Sequence, residues 1–275
     1  MKNIGLVYMA TSVYKNYFEN FIESLKFLFP EDNKTLIVIS DGLQEYNEKT
    51  INDVKIYVKD VVDLPYPFLP CCKFRFVTRY TKEFNFDYIM NFDSDTIILE
   101  KPIEFWNKLK DKLETGKLLV TSHPHYLYTP DREFYEPFIV SNPDSIGYID
   151  AKLINDERSY IMTSFFAGKY DIIKYFDDQI YYMLGRDMDN LRWIPRFPDE
   201  AYLNKLYITE NIINHNDNIL LEKYVTINPY IYGYFPERDN GDIHTNNFPE
   251  YDDTIFMNQK YDVSIKQAKK NNEIV

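Results

Sequence analysis

Two carboxylates separated by a single residue are the most informative local feature of this sequence. Asp93 and Asp95 stand in the segment NFDSDTII, where the apolar run at residues 88–92 ends. Side chains alternate along an extended strand, so this spacing predicts both carboxylates on one face. Carboxylate oxygens are hard ligands that suit Mg²⁺, Mn²⁺ or Ca²⁺, and water and an anionic ligand would complete the coordination. A solvated acidic turn would explain the same spacing.

Two further segments contain residues that could do chemistry. Asp199 and Glu200 lie in FPDEAYLNK, at the start of a predicted helix, where the helix dipole favours carboxylates. Helix capping alone would explain Asp199. His123 lies in SHPH, just after a predicted strand, where a histidine is more often a structural hydrogen-bonding group than a catalyst.

The overall charge restricts the classes of ligand. The net charge of −12 predicts that the protein does not bind nucleic acid, because a phosphate backbone requires a basic surface. An anionic ligand would need a local cation, and a divalent ion at Asp93 and Asp95 would supply it.

The cysteines and the apolar runs indicate the compartment. Cys71 and Cys72 are adjacent, which rarely permits a disulfide, and two thiols do not make a zinc site. They favour a reducing compartment. No apolar run approaches the length of about 18 residues that is typical of a membrane span, and no signal peptide is recognised.

The order of apolar segments predicts an α/β fold, in which parallel strands alternate with helices. The long segment 123–158 has no clear period, and such a segment is usually functional or disordered. We expect one domain at residues 1–240 and a polar tail at 241–275, which could close over a bound ligand. The predicted strands are 5–9, 35–39, 55–58, 88–92, 117–122 and 160–166; the predicted helices are 14–29, 72–83, 102–115, 170–184 and one that begins near residue 199.

Four segments, in this order, resemble glycosyltransferase family 6, which contains the blood-group A and B transferases and the α-1,3-galactosyltransferases. The resemblance extends over about residues 3–234. The matching segments are FDSD, which contains Asp93 and Asp95, for the family's DxD motif; HPHYLYTP from His123 for its HPG-type loop; SYIMTSFFAGK at 159–169 for its YY-small-small-FFGG segment; and DEAYLNK at 199–205 for DESHLNK.

This resemblance implies a GT-A-type nucleotide-sugar-binding fold with a mostly parallel central sheet flanked by helices. It also implies a retaining transferase that moves galactose or N-acetylgalactosamine from a UDP donor to a galactose-type glycan acceptor in α-1,3 linkage. The implied metal is Mn²⁺, with Mg²⁺ as the alternative. The implied roles are Asp93 and Asp95 as metal ligands; Met9 or Tyr8, with Tyr14, at the uracil; Lys73 at the donor phosphate and sugar; Met162, Thr163 and Ser164 at the donor's C2 substituent; His123 and Asp199 at the acceptor and donor sugars; and Glu200 beneath the anomeric carbon.

Several positions depart from the family. Thr163 and Ser164 replace a pair of very small residues, which slightly favours UDP-N-acetylgalactosamine as the donor. Phe197 and Pro198 replace Trp-His, which alters the acceptor side. Because the membrane anchor and stem of the animal enzymes are not recognised, we expect a soluble bacterial or phage-type protein of the cytoplasm. The candidates for the basic residues of the family's C-terminal tail are Lys266, Lys269 and Lys270.

The sequence leaves the mechanism open. A metal-dependent nucleotidyltransferase is disfavoured because no glycine-rich phosphate loop is recognised, and two alternatives remain. Glu200 could act as a nucleophile that forms a glycosyl-enzyme, or it could only stabilise an oxocarbenium-like transition state. One alternative is a retaining transferase of another GT-A family with a different sugar donor; it would need a later metal motif containing histidine, which we do not find. The other is a catalytically inactive glycan-binding relative, which the joint presence of Asp93, Asp95 and Glu200 disfavours.

Overall fold

The computed structural model describes residues 1–63, 68–94, 96–98, 100–122, 143–149, 161–190, 194–195, 198–209, 213–215 and 256–258. The strands are β1 (Asn3–Met9), β2 (Asn33–Ser40), β3 (Thr50–Ile51), β4 (Val54–Asp60), β5 (Tyr88–Asp93), β6 (Thr96–Ile98), β7 (Leu118–Ser122), β8 (Ile161–Gly168), β9 (Ile213–His215) and β10 (Phe256–Asn258). The α-helices are α1 (Phe18–Ser24), α2 (Phe68–Cys71), α3 (Lys73–Thr81), α4 (Ile103–Glu114), α5 (Tyr170–Asp189) and α6 (Pro198–Thr209).

The described residues form an α/β protein around an eight-stranded mixed sheet, in the order β3-β4-β2-β1-β5-β8-β7-β9. The four consecutive strands β4, β2, β1 and β5 form a parallel block. Strand β8 is antiparallel to both β5 and β7, and β9 is parallel to β7. The α/β prediction is therefore confirmed, and the parallel arrangement predicted for the sheet is interrupted by β8.

Each face of the sheet has its own core because side chains alternate along the strands. On β1, Leu6 and Tyr8 belong to one core, whereas Val7 belongs to the other. Helices α1 and α4 pack on the first face, through residues such as Phe21 and Trp106. Helices α3, α5 and α6 pack on the second face, and this is the side that contains the site described below.

The helix predicted at residues 14–29 is broken into three parts. A 3-10 helix (Ser12–Tyr17), α1 and a second 3-10 helix (Leu25–Phe27) follow one another. Helix α1 ends at Ser24, whose hydroxyl donates to the Phe21 carbonyl oxygen at 2.7 Å and accepts from the Ile98 backbone N–H at 3.1 Å. Such local hydrogen bonds of a serine compete with those of a continuous helix.

The described part of the predicted C-terminal tail is a strand. Phe256 pairs with Ile98 and Asn258 with Thr96, so β10 runs antiparallel to β6. The rest of the tail, with its candidate lysines, lies outside the described residues. Among the described helices, none combines the length and apolar character that a bilayer span requires.

Candidate active site

The candidate site lies at the carboxyl edge of the sheet, beside the boundary between β1 and β5. The chain moves from β1 to β2 on one side of β1 and returns to β5 on the other, which makes this boundary a topological switch point. Ligands of open α/β sheets bind outside the carboxyl ends of the strands at such points. Met9 and Asp93 are paired there across the two strands. Strand β8 is antiparallel, so its first residues reach the same edge.

Lys73, the first residue of α3, is the cation at the centre of this edge. Its Nζ donates to Asp93 Oδ1 at 3.0 Å and to the Thr163 carbonyl oxygen at 3.1 Å. The same Nζ lies 3.4 Å from Asp199 Oδ2. The Lys73 side chain is only 12% exposed. One buried ammonium therefore joins the end of β5, the start of β8 and the start of α6.

The electrostatics keep Lys73 charged. Burial lowers the pKa of its ammonium, but the charges of Asp93 and Asp199, the hydrogen bond to Asp93 and the charge of Glu200 outweigh burial. The net effect is a pKa above the ordinary value for lysine. A permanent positive charge in this position could bind an anionic group of a ligand.

Asp199 and Glu200 lie in the first turn of α6, as predicted, and both also bind groups outside this helix. The Thr163 hydroxyl donates to Asp199 Oδ2 at 2.7 Å, and the Asp199 residue is only 3% exposed. Glu200 is half-buried, and its Oε2 accepts from the Thr163 backbone N–H at 3.4 Å. Both carboxylates therefore face β8, where Lys73 also binds.

An irregularity in β8 brings Thr163 to these groups. Val120 of β7 pairs with Phe166, whereas the next residue, Thr121, pairs with Met162. Thr163, Ser164 and Phe165 fall between these two consecutive pairs. Bulged segments occur often beside active sites because they redirect side chains that regular alternation would place elsewhere.

Asn204 is a residue that the sequence analysis missed. Its amide accepts from the Ile161 backbone N–H at 2.7 Å and donates to the Ile161 carbonyl oxygen at 2.8 Å. The same amide donates to the Glu200 carbonyl oxygen at 2.8 Å. Asn204 thus fixes α6 against the first residue of β8. A polar residue that follows Ala-Tyr-Leu within DEAYLNK was the available signal.

A second buried network supports α6 from behind. Asp187 of α5 is fully buried and accepts hydrogen bonds from the Ser145 hydroxyl at 2.7 Å, the Ile146 N–H at 2.9 Å and the Tyr202 hydroxyl at 2.8 Å. Burial, followed by the hydrogen bond to Asp187 and its charge, raises the pKa of Tyr202. Lys205 donates to the Tyr148 carbonyl oxygen at 2.8 Å. The described part of the long irregular segment, residues 143–149, is therefore attached to the helix that contains Asp199 and Glu200.

Two buried polar side chains lie near the cluster formed by Lys73, Asp93, Thr163, Asp199 and Glu200. They have no hydrogen-bond partner among the described residues. They are the Ser164 hydroxyl, beside Thr163, and the Asn91 amide, two residues before Asp93 on the same strand. An unsatisfied buried polar group costs about 1–3 kcal/mol. Both are candidates for hydrogen bonds with bound water or a ligand.

The residues predicted at the uracil are separated by the fold. Tyr8 is fully buried in the core, with its ring 4.4 Å from that of Phe21 and its hydroxyl donating to the Ser94 carbonyl oxygen at 2.6 Å. Met9 packs on the opposite face, the face of Lys73. Tyr14 is 39% exposed, in the 3-10 helix that follows β1. Of Met9 and Tyr8, Met9 lies on the side of Lys73, and its role at the uracil stays a prediction.

The predicted residues Asp95 and His123 lie outside the described residues, as does the side chain of Met162. Strand β5 ends at Asp93, and Ser94 lies in a turn. Strand alternation therefore ends at Asp93 and does not relate it to Asp95.

The carboxylate of Asp93 offers oxygen ligands of the kind that a hard divalent ion prefers. The Asp93 side chain is 37% exposed at the edge of the sheet. No group of three or more His, Cys, Asp or Glu side chains that could hold a metal occurs among the described residues. A metal at Asp93 would thus need donors from elsewhere, which the sequence analysis expects to be Asp95, water and an anionic ligand.

The sequence matches no protein-family profile and no curated protein.

Proposed function

We propose that this protein is a metal-dependent retaining glycosyltransferase with a GT-A-type fold. It transfers galactose or N-acetylgalactosamine from a UDP donor to a galactose-type acceptor in α-1,3 linkage. The proposal joins the resemblance of four sequence segments to glycosyltransferase family 6 with the chemistry of the cluster around Lys73.

The observation that supports the proposal most is the position of three acidic side chains and one lysine at the switch point. Lys73 lies within 3.4 Å of Asp93 and Asp199, and Thr163 joins Asp199 to Glu200. A charged donor with a diphosphate and a sugar needs a cation for the first part and a carboxylate beside the second. This edge of the sheet has both.

Each charged residue of the site has a distinct proposed role. Lys73 remains an ammonium and would bind donor phosphate oxygens. Glu200, half-buried, would face the anomeric carbon, either as the nucleophile or as the negative charge that stabilises an oxocarbenium-like transition state. Asp199, with Oδ2 held by Thr163, would orient the sugars. Asp93 and Asp95 would hold a divalent ion which, when bound, neutralises the charge that develops on the departing nucleotide diphosphate.

The test is a donor screen with the full-length protein and lactose as the acceptor. Four donors are compared with Mn²⁺ present: UDP-galactose, UDP-N-acetylgalactosamine, UDP-glucose and UDP-N-acetylglucosamine. We expect transfer from one of the first two, an α-linked product by NMR, loss of transfer in EDTA and recovery with Mn²⁺. Full activity in EDTA would remove the metal from the proposal.

A matched pair of variants tests Asp93. Asp93→Asn should lower kcat/KM for the donor by about 100-fold or more, since a metal ligand is lost. Asp60→Asn is the control, because Asp60 is the last residue of β4, a parallel strand of the same sheet that does not adjoin β5, and is exposed. If no donor is turned over, and calorimetry detects binding of a galactose-terminated glycan alone, the inactive glycan-binding alternative is supported instead.

A further inference from the structure

We propose that Thr163 is a positioning residue that sets the orientation of Asp199, Glu200 and Lys73 at once. This inference rests on the proposed function for its kinetic test, but its structural basis is independent of the donor. It differs from the role implied by the sequence resemblance, in which Thr163 contacts the donor sugar directly.

Three different groups of Thr163 hold three different charged side chains. The hydroxyl donates to Asp199 Oδ2 at 2.7 Å, the backbone N–H donates to Glu200 Oε2 at 3.4 Å, and the carbonyl oxygen accepts from Lys73 Nζ at 3.1 Å. Its side-chain oxygen and its backbone N–H and C=O groups are thus all engaged by the charged cluster.

Burial makes the hydroxyl contact specific. Thr163 is 3% exposed and Asp199 is 3% exposed, so water does not readily replace the hydroxyl as a donor to Asp199. Hydrogen bonds to a charged acceptor are also shorter and stronger than neutral ones. The hydroxyl is therefore occupied with Asp199, and the neighbouring Ser164 hydroxyl has no hydrogen-bond partner among the described residues.

The irregular pairing of β8 makes the arrangement possible. Because Thr163 falls between two consecutive pairs with β7, its backbone groups are directed to side chains of α3 and α6. The hydroxyl and the N–H bind adjacent residues of α6, so a rotation of the first turn of this helix would break both hydrogen bonds together.

The experiment compares Thr163→Val with Thr163→Ser. Valine keeps the shape and the backbone groups and removes only the hydroxyl, whereas serine keeps the hydroxyl. With Mn²⁺ and either UDP-galactose or UDP-N-acetylgalactosamine, we expect Thr163→Val to lower kcat by about 100-fold, since small misplacements of catalytic groups have effects of this size. The KM for the donor should change by less than about threefold, and Thr163→Ser should restore kcat to within about threefold of the parent.

Thr78→Val is the matched control. The Thr78 hydroxyl also donates to a buried aspartate, Asp177 Oδ2, at 2.8 Å, but between α3 and α5. The Thr78→Val variant should lower the urea midpoint of unfolding about as much as Thr163→Val, and its kcat should stay within about threefold of the parent value. An unchanged kcat in Thr163→Val, a loss confined to KM, or a failure of serine to restore activity would overturn the positioning role. Should Thr163→Val not fold, Thr163→Ala takes its place in the same comparison.

A second measurement separates this inference from the proposed function. If the parent turns over neither donor, the function is wrong, and Thr163 is tested by unfolding alone. A double-mutant cycle with Thr163→Val and Asp199→Ala should then give non-additive shifts of the urea midpoint, because the two residues share one buried hydrogen bond. Additive shifts would overturn the inference.

Discussion

Helix α3 takes part in two ionic clusters that use the same chemistry for different ends. In one, Lys73 and a threonine hydroxyl bind the buried Asp199. In the other, Arg75 Nε lies 3.0 Å from Asp177 Oδ1, while the Thr78 hydroxyl binds the same carboxylate. Each cluster thus contains a buried aspartate, a threonine donor and a cation from the first turn of the helix.

The clusters differ in their balance of charge. Among the described side chains of the second cluster, two cations face two carboxylates, since Lys174 is paired with Asp178, which also lies 3.9 Å from Arg75 Nη2. Among the described side chains of the first cluster, one cation, Lys73, faces three carboxylates, those of Asp93, Asp199 and Glu200. The balanced cluster joins α3 to α5. The acidic excess of the other lies at the switch point, where a bound cation would be attracted.

The largest expected effect is on stability, from removal of each cation in turn. Lys73→Met leaves buried Asp199 without its cation and should lower the free energy of unfolding by about 3–5 kcal/mol. Arg75→Met should cost about 1 kcal/mol, because the Arg75 side chain is 36% exposed and stays close to water. Urea denaturation of both variants measures the difference. Equal losses would show that the two clusters do not differ in the way described.

A smaller effect is expected on catalysis, from carboxylate-to-amide changes. Glu200→Gln keeps the shape of the side chain and removes its charge, so kcat should fall about 100-fold, or about 2.7 kcal/mol in the barrier, with little change in donor affinity. Asp178→Asn, the matched change in the balanced cluster, should leave kcat unaltered. Steady-state kinetics with Mn²⁺ and the preferred donor decide it, and a near-normal kcat in Glu200→Gln would return Glu200 to the role of a helix-start carboxylate.

The smallest effect is on the pH dependence of stability, through Asp177. Burial raises the pKa of its carboxyl group, and the Thr78 hydrogen bond and the Arg75 charge offset this only in part. A carboxyl group with a raised folded-state pKa favours the native state below its unfolded value, and this contribution is lost as the pH rises through the folded value. The stability of the parent relative to Asp177→Asn should therefore increase on acidification. The free energy of unfolding from neutral pH down through the carboxyl range measures it, and the opposite slope would contradict the assignment.

Much of the site's framework was predictable from local patterns. The apolar run before Asp93 predicted β5, and the helix predicted at residues 72–83 contains α3 and therefore Lys73. The Pro-Asp-Glu start of α6 was also predictable from the preference of helix N-termini for acidic residues.

The remaining features depend on pairing across long sequence separations. The antiparallel direction of β8 and the position of its bulge follow from its register with β5 and β7, which local periodicity does not encode. For that reason the sequence does not predict the hydrogen bond of Thr163 to Asp199 or those of Asn204 to Ile161. The break in the first predicted helix at Ser24 has the same origin, because it depends on a hydrogen bond to Ile98.

The pairing of β6 with β10 has a consequence for the order of synthesis. A chain emerges from the ribosome N-terminus first, so β1, β2, β4 and β5 are available to pair early. Strand β6 begins only three residues after Asp93. Its partner, β10, is synthesised after more than half of the chain has followed β6. A nascent protein that stops short of Phe256 would contain the parallel block and Lys73, yet leave one edge of β6 exposed to other chains. The strand beside the site is thus among the last to be covered, and translation itself sets the earliest moment of its completion.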